Sequence, residues 1–438
     1  MLVYPAAMTD TPPAQADNDE RRWRLTLGLL VGARVLIPLV TLAFSGHALP
    51  GLPAYRYQPL NGDSFVYYAA AREFIASFLR VSKPLMVLAV VVVVAGFVIG
   101  VRCWRREPQR RALAVLLPAA ALSLALTLPI HEMRIQGGGT IGWSMLLAIP
   151  LLPIRAVGLD PNPDVAFVFG LAFSLVAIAV SVVATAYVGL HATGRRSVGL
   201  VASGIFTVWP LVSGQLVGHS AWENGQWNVD VGLHLYTEPL STALVLVSVA
   251  ILLRPATQAG GLAAAGLAAG YATATRLTNG FVGLVLALLV ALRFGPRRAI
   301  PYAVGGLISA PLVIVFWPKG YIGMFDGKAP PTFHPWSLSY AGDAWGDSLI
   351  FTPRLLLILL PLFVVGCFVI RDRWVLAVVL TPIVVNVVIY SFYYVTAIHP
   401  RFLYVTLPFV FVLEAAGLMA VVDSVRRRRA GRSEVRVV

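Results

Sequence analysis

Residues 141–157 read IGWSMLLAIPLLPIRAV, and Arg155 is the only charge among them. Whether this stretch crosses a bilayer decides the topology of the chain, because each crossing exchanges the faces of all that follows. Around it run apolar stretches of roughly 17–25 residues, the length at which a helix crosses a ~30 Å hydrocarbon core. Hydropathy and clusters of Lys and Arg place twelve candidate spans, at 24–45, 84–102, 110–130, 164–190, 197–217, 237–253, 259–277, 279–293, 299–317, 349–370, 374–393 and 403–423. The expected fold is all-α: a polytopic membrane protein of about twelve transmembrane helices with interfacial helices on its outer face.

Charge orients this chain. With the N-terminus in the cytoplasm, the cytoplasmic segments hold 22 basic and 8 acidic residues, and the outer segments hold 11 of each. Arg34 and Glu414 fall inside spans. The formal net charge of +14 therefore lies on one side, as the positive-inside rule requires. Counting 141–157 as a crossing would invert the rest and place the basic tail around Arg426–Arg429 outside. The stretch is expected to be an interfacial helix on the outer surface, with Trp143 at headgroup depth. The competing reading is a short span that violates the charge rule.

Composition agrees. The chain has 438 residues, 58% of them hydrophobic and 12% charged, and a mean hydropathy of +0.79, which excludes a soluble enzyme or a secreted domain. The 34 Lys and Arg sit in short clusters between apolar stretches, which argues against nucleic-acid binding. Cys103 and Cys367 form no thiolate motif. Residues 1–23 read as a disordered cytoplasmic tail in which Met8 is an alternative start, 24–423 as a single transmembrane domain, and 424–438 as a basic cytoplasmic tail. The Ala/Val/Arg-heavy composition suggests a bacterial plasma membrane.

Function is expected on the outer face. The cytoplasmic loops are short and arginine-rich, whereas outer segments 46–83, 131–163, 218–236 and 318–348 are long and carry aromatics and acids. Asp63 follows Asn61-Gly62, a turn signal, and opens a stretch with Phe65, Tyr68, Ala69, Arg72 and Phe74 at helical spacing. The plain reading of Asp63 is a helix N-cap; the functional one is a carboxylate at the membrane surface acting as general base. Glu238 and Pro239 open a span, where a carboxylate also complements the helix dipole. Glu223, Asp230, His219 and His234 match no standard metal-ligand spacing, so a divalent cation stays an open possibility. Arg276 and Arg401, the latter beside His399, end up at outer span boundaries. Each can snorkel to the interface, or hold a lipid phosphate in a bidentate fork. Arg34 and Glu414, costly at depth, are expected to face the bundle interior, where they could pair.

The pattern resembles the GT-C superfamily, polytopic glycosyltransferases that use lipid-linked sugars. Four stretches carry the resemblance: GDSFVYYAAAREF with Asp63, TEPLSTALVLVSVAILLRP with Glu238, GLAAAGLAAGYATATRLTNG with Arg276, and HPRFLYVTLPFVFVLEAAGL with Arg401. Segment 142–179 is similar to the family's second outer interfacial helix and the span after it. One departure is the hairpin 84–130, which separates two interfacial helices that the family pattern places in one loop. The resemblance implies a polyprenyl-phosphate-linked sugar donor, a glycan, lipid or protein acceptor, and a mannosyltransferase- or arabinosyltransferase-like activity at the lipid bilayer. Such chemistry needs a base for the acceptor hydroxyl and cations for the departing phosphate. Asp63 is the expected base, Arg276 and Arg401 the expected phosphate ligands, and Glu238 and His399 the expected substrate-binding residues. Trp336 and Tyr340, with Tyr321, Phe333 and Trp345, form either an aromatic platform over the sugar or an interface belt. The rival class is a transporter or flippase for a lipid-linked glycan. Such proteins tend to show internal repeats and broken spans, which are not evident here.

Overall fold

The computed structural model describes residues 13–44, 47, 63–105, 110–134, 140–217, 233, 235, 237–255, 257–316, 337–343, 349–393 and 400–434. Among them the fold is all-helical, without a strand. The principal helices are α1 (Pro13–Ala43), α2 (Asp63–Arg80), α3 (Lys83–Trp104), α4 (Arg111–Glu132), α5 (Ile141–Ala156), α6 (Pro163–Thr193) and α7 (Arg196–Val217). They continue with α8 (Glu238–Leu252), α9 (Ala259–Thr275), α10 (Asn279–Phe294), α11 (Pro296–Leu307), α12 (Leu349–Val369), α13 (Arg373–Ser391) and α14 (Leu407–Glu434). A 3-10 segment, Pro400–Thr406, leads into α14.

Local chemistry explains several of these boundaries. The Asn162 side chain accepts a bond from the Val165 N–H at 2.8 Å and Pro163 occupies the first turn, so α6 starts where its free donors are satisfied. It stops at Gly194, whose φ of 72° favours a residue without a Cβ. Asp372 caps α13 by accepting from the Trp374 and Val375 N–H groups.

Each of the twelve expected stretches is helical to within a few residues, except that α11 ends at Leu307 before the chain turns and resumes helix to Phe316. Among the described residues, seven helices are long and apolar enough to cross a membrane by length and composition: those within 18–43, 83–104, 111–132, 163–193, 296–316, 373–391 and 401–429. Helices α8 and α10, at 15 and 16 residues, are shorter than a full crossing. Helix α1 begins at Pro13 rather than near residue 24, and α14 runs into the basic tail.

Helices α6, α7, α8, α9 and α14 form the interior, with α10, α11 and α13 packed around the α9 side. The arginine-rich ends are tied together by Arg195 to Asp423 at 2.7 Å and Arg293 to Asp372 at 3.2 Å. By contrast, α3 buries only Gly96 and Gly100, against α4, and turns the rest of its valines outward.

Segment 141–157 is a helix, α5, that lies against α2 and the end of α9. Trp143 is covered by protein: it is 0% exposed, packed with Phe167, Leu171, Leu233 and Leu235. The close approach has a simple cause. Gly142 faces the α9 backbone so tightly that a Cβ would stand 2.7 Å from the Ala274 carbonyl oxygen, and its own carbonyl accepts from the Tyr271 hydroxyl at 2.8 Å. A second difference concerns the buried charges. Arg34 donates to the Tyr404 hydroxyl at 3.0 Å and lies over the Phe206 ring, while both Glu414 oxygens are buried without a hydrogen-bond partner among the described residues, so the two do not pair. Cys103 and Cys367 are both free thiols.

Candidate functional site

Helix α8 opens with Glu238 in its first turn and Pro239 behind it, so the carboxylate stands among N–H groups that lack helical partners. It is 3% exposed, and Thr237 donates to its Oε2 at 3.4 Å. Helix α9 ends one residue before Arg276, whose backbone is extended (φ −147°, ψ 116°). A tight turn follows, with the Asn279 N–H donating to the Arg276 carbonyl at 3.0 Å and Gly280 to Leu277 at 2.8 Å. This reversal turns the Arg276 side chain towards α8 rather than out along the helix axis.

The arginine reaches two partners. Its Nη1 lies 2.5 Å from Glu238 Oε1, and its Nη2 donates to the Tyr390 hydroxyl of α13 at 2.8 Å. Thr278 shares that hydroxyl, also at 2.8 Å. Arg401, 5% exposed and held in the 3-10 segment, brings its Nε to 3.6 Å from the same Glu238 oxygen. Beneath both guanidiniums lies Phe402, whose ring centre is 4.8 Å from Arg276 and 5.2 Å from Arg401. Phe402 in turn stacks on Tyr390 at 5.3 Å with 14° between planes. Four separate elements thus place one carboxylate, two guanidiniums and two stacked rings at a single point. Buried arginine persists only where its charge is matched: Arg276 has the Glu238 carboxylate, the Tyr390 phenol and the Phe402 face, and Arg401 has the charge of the same carboxylate and the same ring.

Helix α2 comes to the same place. Tyr67 packs in the cluster with Trp143, Leu235 and Leu240, the last only two residues into α8 from Glu238, and it lies within electrostatic reach of Arg276. The helix is clamped along its length. Tyr68 donates to the Pro161 carbonyl, Arg72 holds Asp160 at 2.9 Å, and Glu73 accepts from Arg80 at 2.5 Å and from the Arg134 N–H at 2.8 Å. Burial pushes the Tyr68 phenol above its ordinary pKa, against the partial opposition of Arg72. Asp63 is the first residue of α2, one turn before Tyr67; its side chain lies outside the described residues.

Of the residues singled out from sequence, Glu238, Arg276 and Arg401 are brought together. His399 and Trp336 lie outside the described residues, as do Tyr321, Phe333 and Trp345 and the four loop residues His219, Glu223, Asp230 and His234. Tyr340 sits in a short turn that is fastened to the end of α13 by the Ser337 N–H donating to the Phe392 carbonyl at 2.9 Å. Among the described residues no group of three His, Cys, Asp or Glu is arranged to hold a metal ion.

Sequence reasoning missed Tyr390, Phe402, Tyr67 and Thr278. Phe402 adjoins Arg401, and Tyr390 lies in an aromatic run, YSFYYV at 390–395, that reads as an interface belt. What identifies them is a contact across more than a hundred residues of chain, which no local pattern encodes. No family model, curated protein or solved structure matches this chain.

Proposed function

We propose that this chain is a membrane glycosyltransferase that moves a sugar from a polyprenyl-phosphate donor to an acceptor hydroxyl at the Glu238 end of the bundle. In this reading the twelve apolar stretches are the spans, with α8 and α10 completed by the residues that flank them, the arginine-rich ends lie in the cytoplasm and the Glu238 end faces away from it. Asp63 takes the proton from the acceptor hydroxyl as that oxygen attacks the anomeric carbon. The bond from that carbon to the phosphate oxygen breaks, and polyprenyl phosphate departs with the electron pair. Arg276 and Arg401 bind the phosphate and stabilise the charge it gains. Glu238 fixes the two forks in place, as a positioning residue.

The observation that carries the reading is the gathering of Arg276 and Arg401 on one buried carboxylate, next to the first turns of the helix that begins with Asp63. Guanidinium forks match phosphate geometry, and preorganised cations act without reorganising during reaction. The order of Asp63, Glu238, Arg276 and Arg401 along the chain also follows the GT-C pattern.

The test is transfer of labelled sugar from polyprenyl phosphate by the purified protein in detergent or proteoliposomes. Transfer is expected from the wild type and lost in Asp63→Asn at unchanged expression. Near-normal turnover in that variant would refute the base assignment. Translocation of the lipid-linked sugar without transfer would favour a flippase instead.

A further inference from the structure

Helix α8 has Glu238 at one end and, at the other, a cavity that the site above does not use. About 590 Å³ in volume, it lies between α6 and α8 and is walled by Val183, Tyr187, Ala250 and Ile251, with His191 and Arg254 also lining it. The two helices run alongside each other here, residues 179–191 of α6 facing 247–254 at and beyond the end of α8. The opening is towards the surface of the bundle, where Val180 and Tyr187 are 36% and 38% exposed.

The walls are apolar and already in place. Tyr187 is held edge-on by Trp23 at 5.3 Å and lies 5.8 Å from the His191 ring, so the aromatic side of the groove is fixed by packing. The rim is cationic. Arg254 lies two residues past the end of α8, is exposed, and has no carboxylate within ion-pair distance among the described residues. It stands on the same end of the bundle as Arg195 and Arg196. A largely apolar slot that finishes at an arginine with no carboxylate beside it among the described residues is complementary to one kind of molecule: a hydrocarbon chain carrying an anionic headgroup.

We propose that the groove between α6 and α8 binds one anionic phospholipid from the leaflet at the arginine-rich face, its phosphate on Arg254 and an acyl chain between Val183, Ala250 and Ile251. A zwitterionic lipid would fill the slot equally well but would bring its own cation against Arg254, so the selectivity resides in the headgroup. The inference is independent of the glycosyltransferase reading, since no residue of the groove belongs to the Glu238 cluster.

Native mass spectrometry of the full chain in mild detergent, titrated with phosphatidylglycerol or phosphatidylcholine, tests it. The wild type is expected to retain one phosphatidylglycerol about fivefold more tightly than phosphatidylcholine, the factor a single interfacial arginine supplies. Arg254→Gln, at an exposed position, should erase that preference, whereas Arg297→Gln, another exposed arginine of the same end, should preserve it. Ala250→Trp, which fills the slot, should weaken retention of both lipids. Equal retention of the two lipids by the wild type, or a preference that survives Arg254→Gln, would overturn the proposal.

Discussion

Glu238 and Glu414 are both buried carboxylates on apolar helices, yet their surroundings are opposite. Glu238, at the start of α8, has two guanidiniums on one of its oxygens and a helix N-terminus behind it. Glu414, two turns into α14, is 1% exposed and neither oxygen has a hydrogen-bond partner among the described residues. Desolvating a charge is expensive, and the expense is met only where partners are built in. The comparison separates an organised polar centre, to which four elements contribute, from an isolated polar group that the packing encloses. Arg34, equally buried, is served instead by the Tyr404 hydroxyl, ten residues ahead of Glu414 in the chain.

The sharpest way to break the contrast is to remove one carboxylate at a time. Glu238→Gln leaves two buried guanidiniums without their counter-charge and should destabilise the fold by about 3–5 kcal/mol, read as lowered thermal stability in detergent. Next in size is Arg276→Lys, which keeps the charge but cannot hold Glu238 and Tyr390 together. A loss of about 1.5–3 kcal/mol is expected, along with reduced transfer activity if the proposed role holds. Tyr390→Phe keeps the ring against Phe402 and deletes only the hydroxyl shared by Arg276 and Thr278; about 1 kcal/mol is expected from the same melting measurement. Smallest should be Glu414→Gln, which orphans no cation and should change stability by less than ~1 kcal/mol. A loss there as large as that of Glu238→Gln would mean that Glu414 has a charge partner after all, and the contrast would fail.

Much of the fold was legible beforehand. The twelve apolar stretches, their approximate ends and the concentration of arginine at one end follow from hydropathy and charge, and each stretch is helical. Glu238, Arg276 and Arg401 were also legible as candidates, because ionisable residues at span boundaries are few. Burial was not legible. Helix α3 has the highest mean hydropathy of the seven long apolar helices, 2.9, and is the least buried of them, while the final one, at 2.2, is the most buried. In a membrane the apolar surroundings of a valine can be lipid or protein, and composition is the same for both; Val91 is 57% exposed and Val412 is 0% exposed. Trp143 illustrates the same point, since an indole suits the interface and a packed core equally well.

From the chain of residues alone come the helices and the asymmetry of charge, because both depend on the transfer of each side chain and on backbone bonds made within a segment. Tertiary structure alone decided which polar groups meet. The meeting of Glu238 with Arg276 and Arg401, the Tyr390–Phe402 stack under them, and the solitude of Glu414 depend on the rotation and depth of each helix against its neighbours. Those are set by contacts such as Gly142 on the α9 backbone, summed over the whole bundle, and no single stretch contains them.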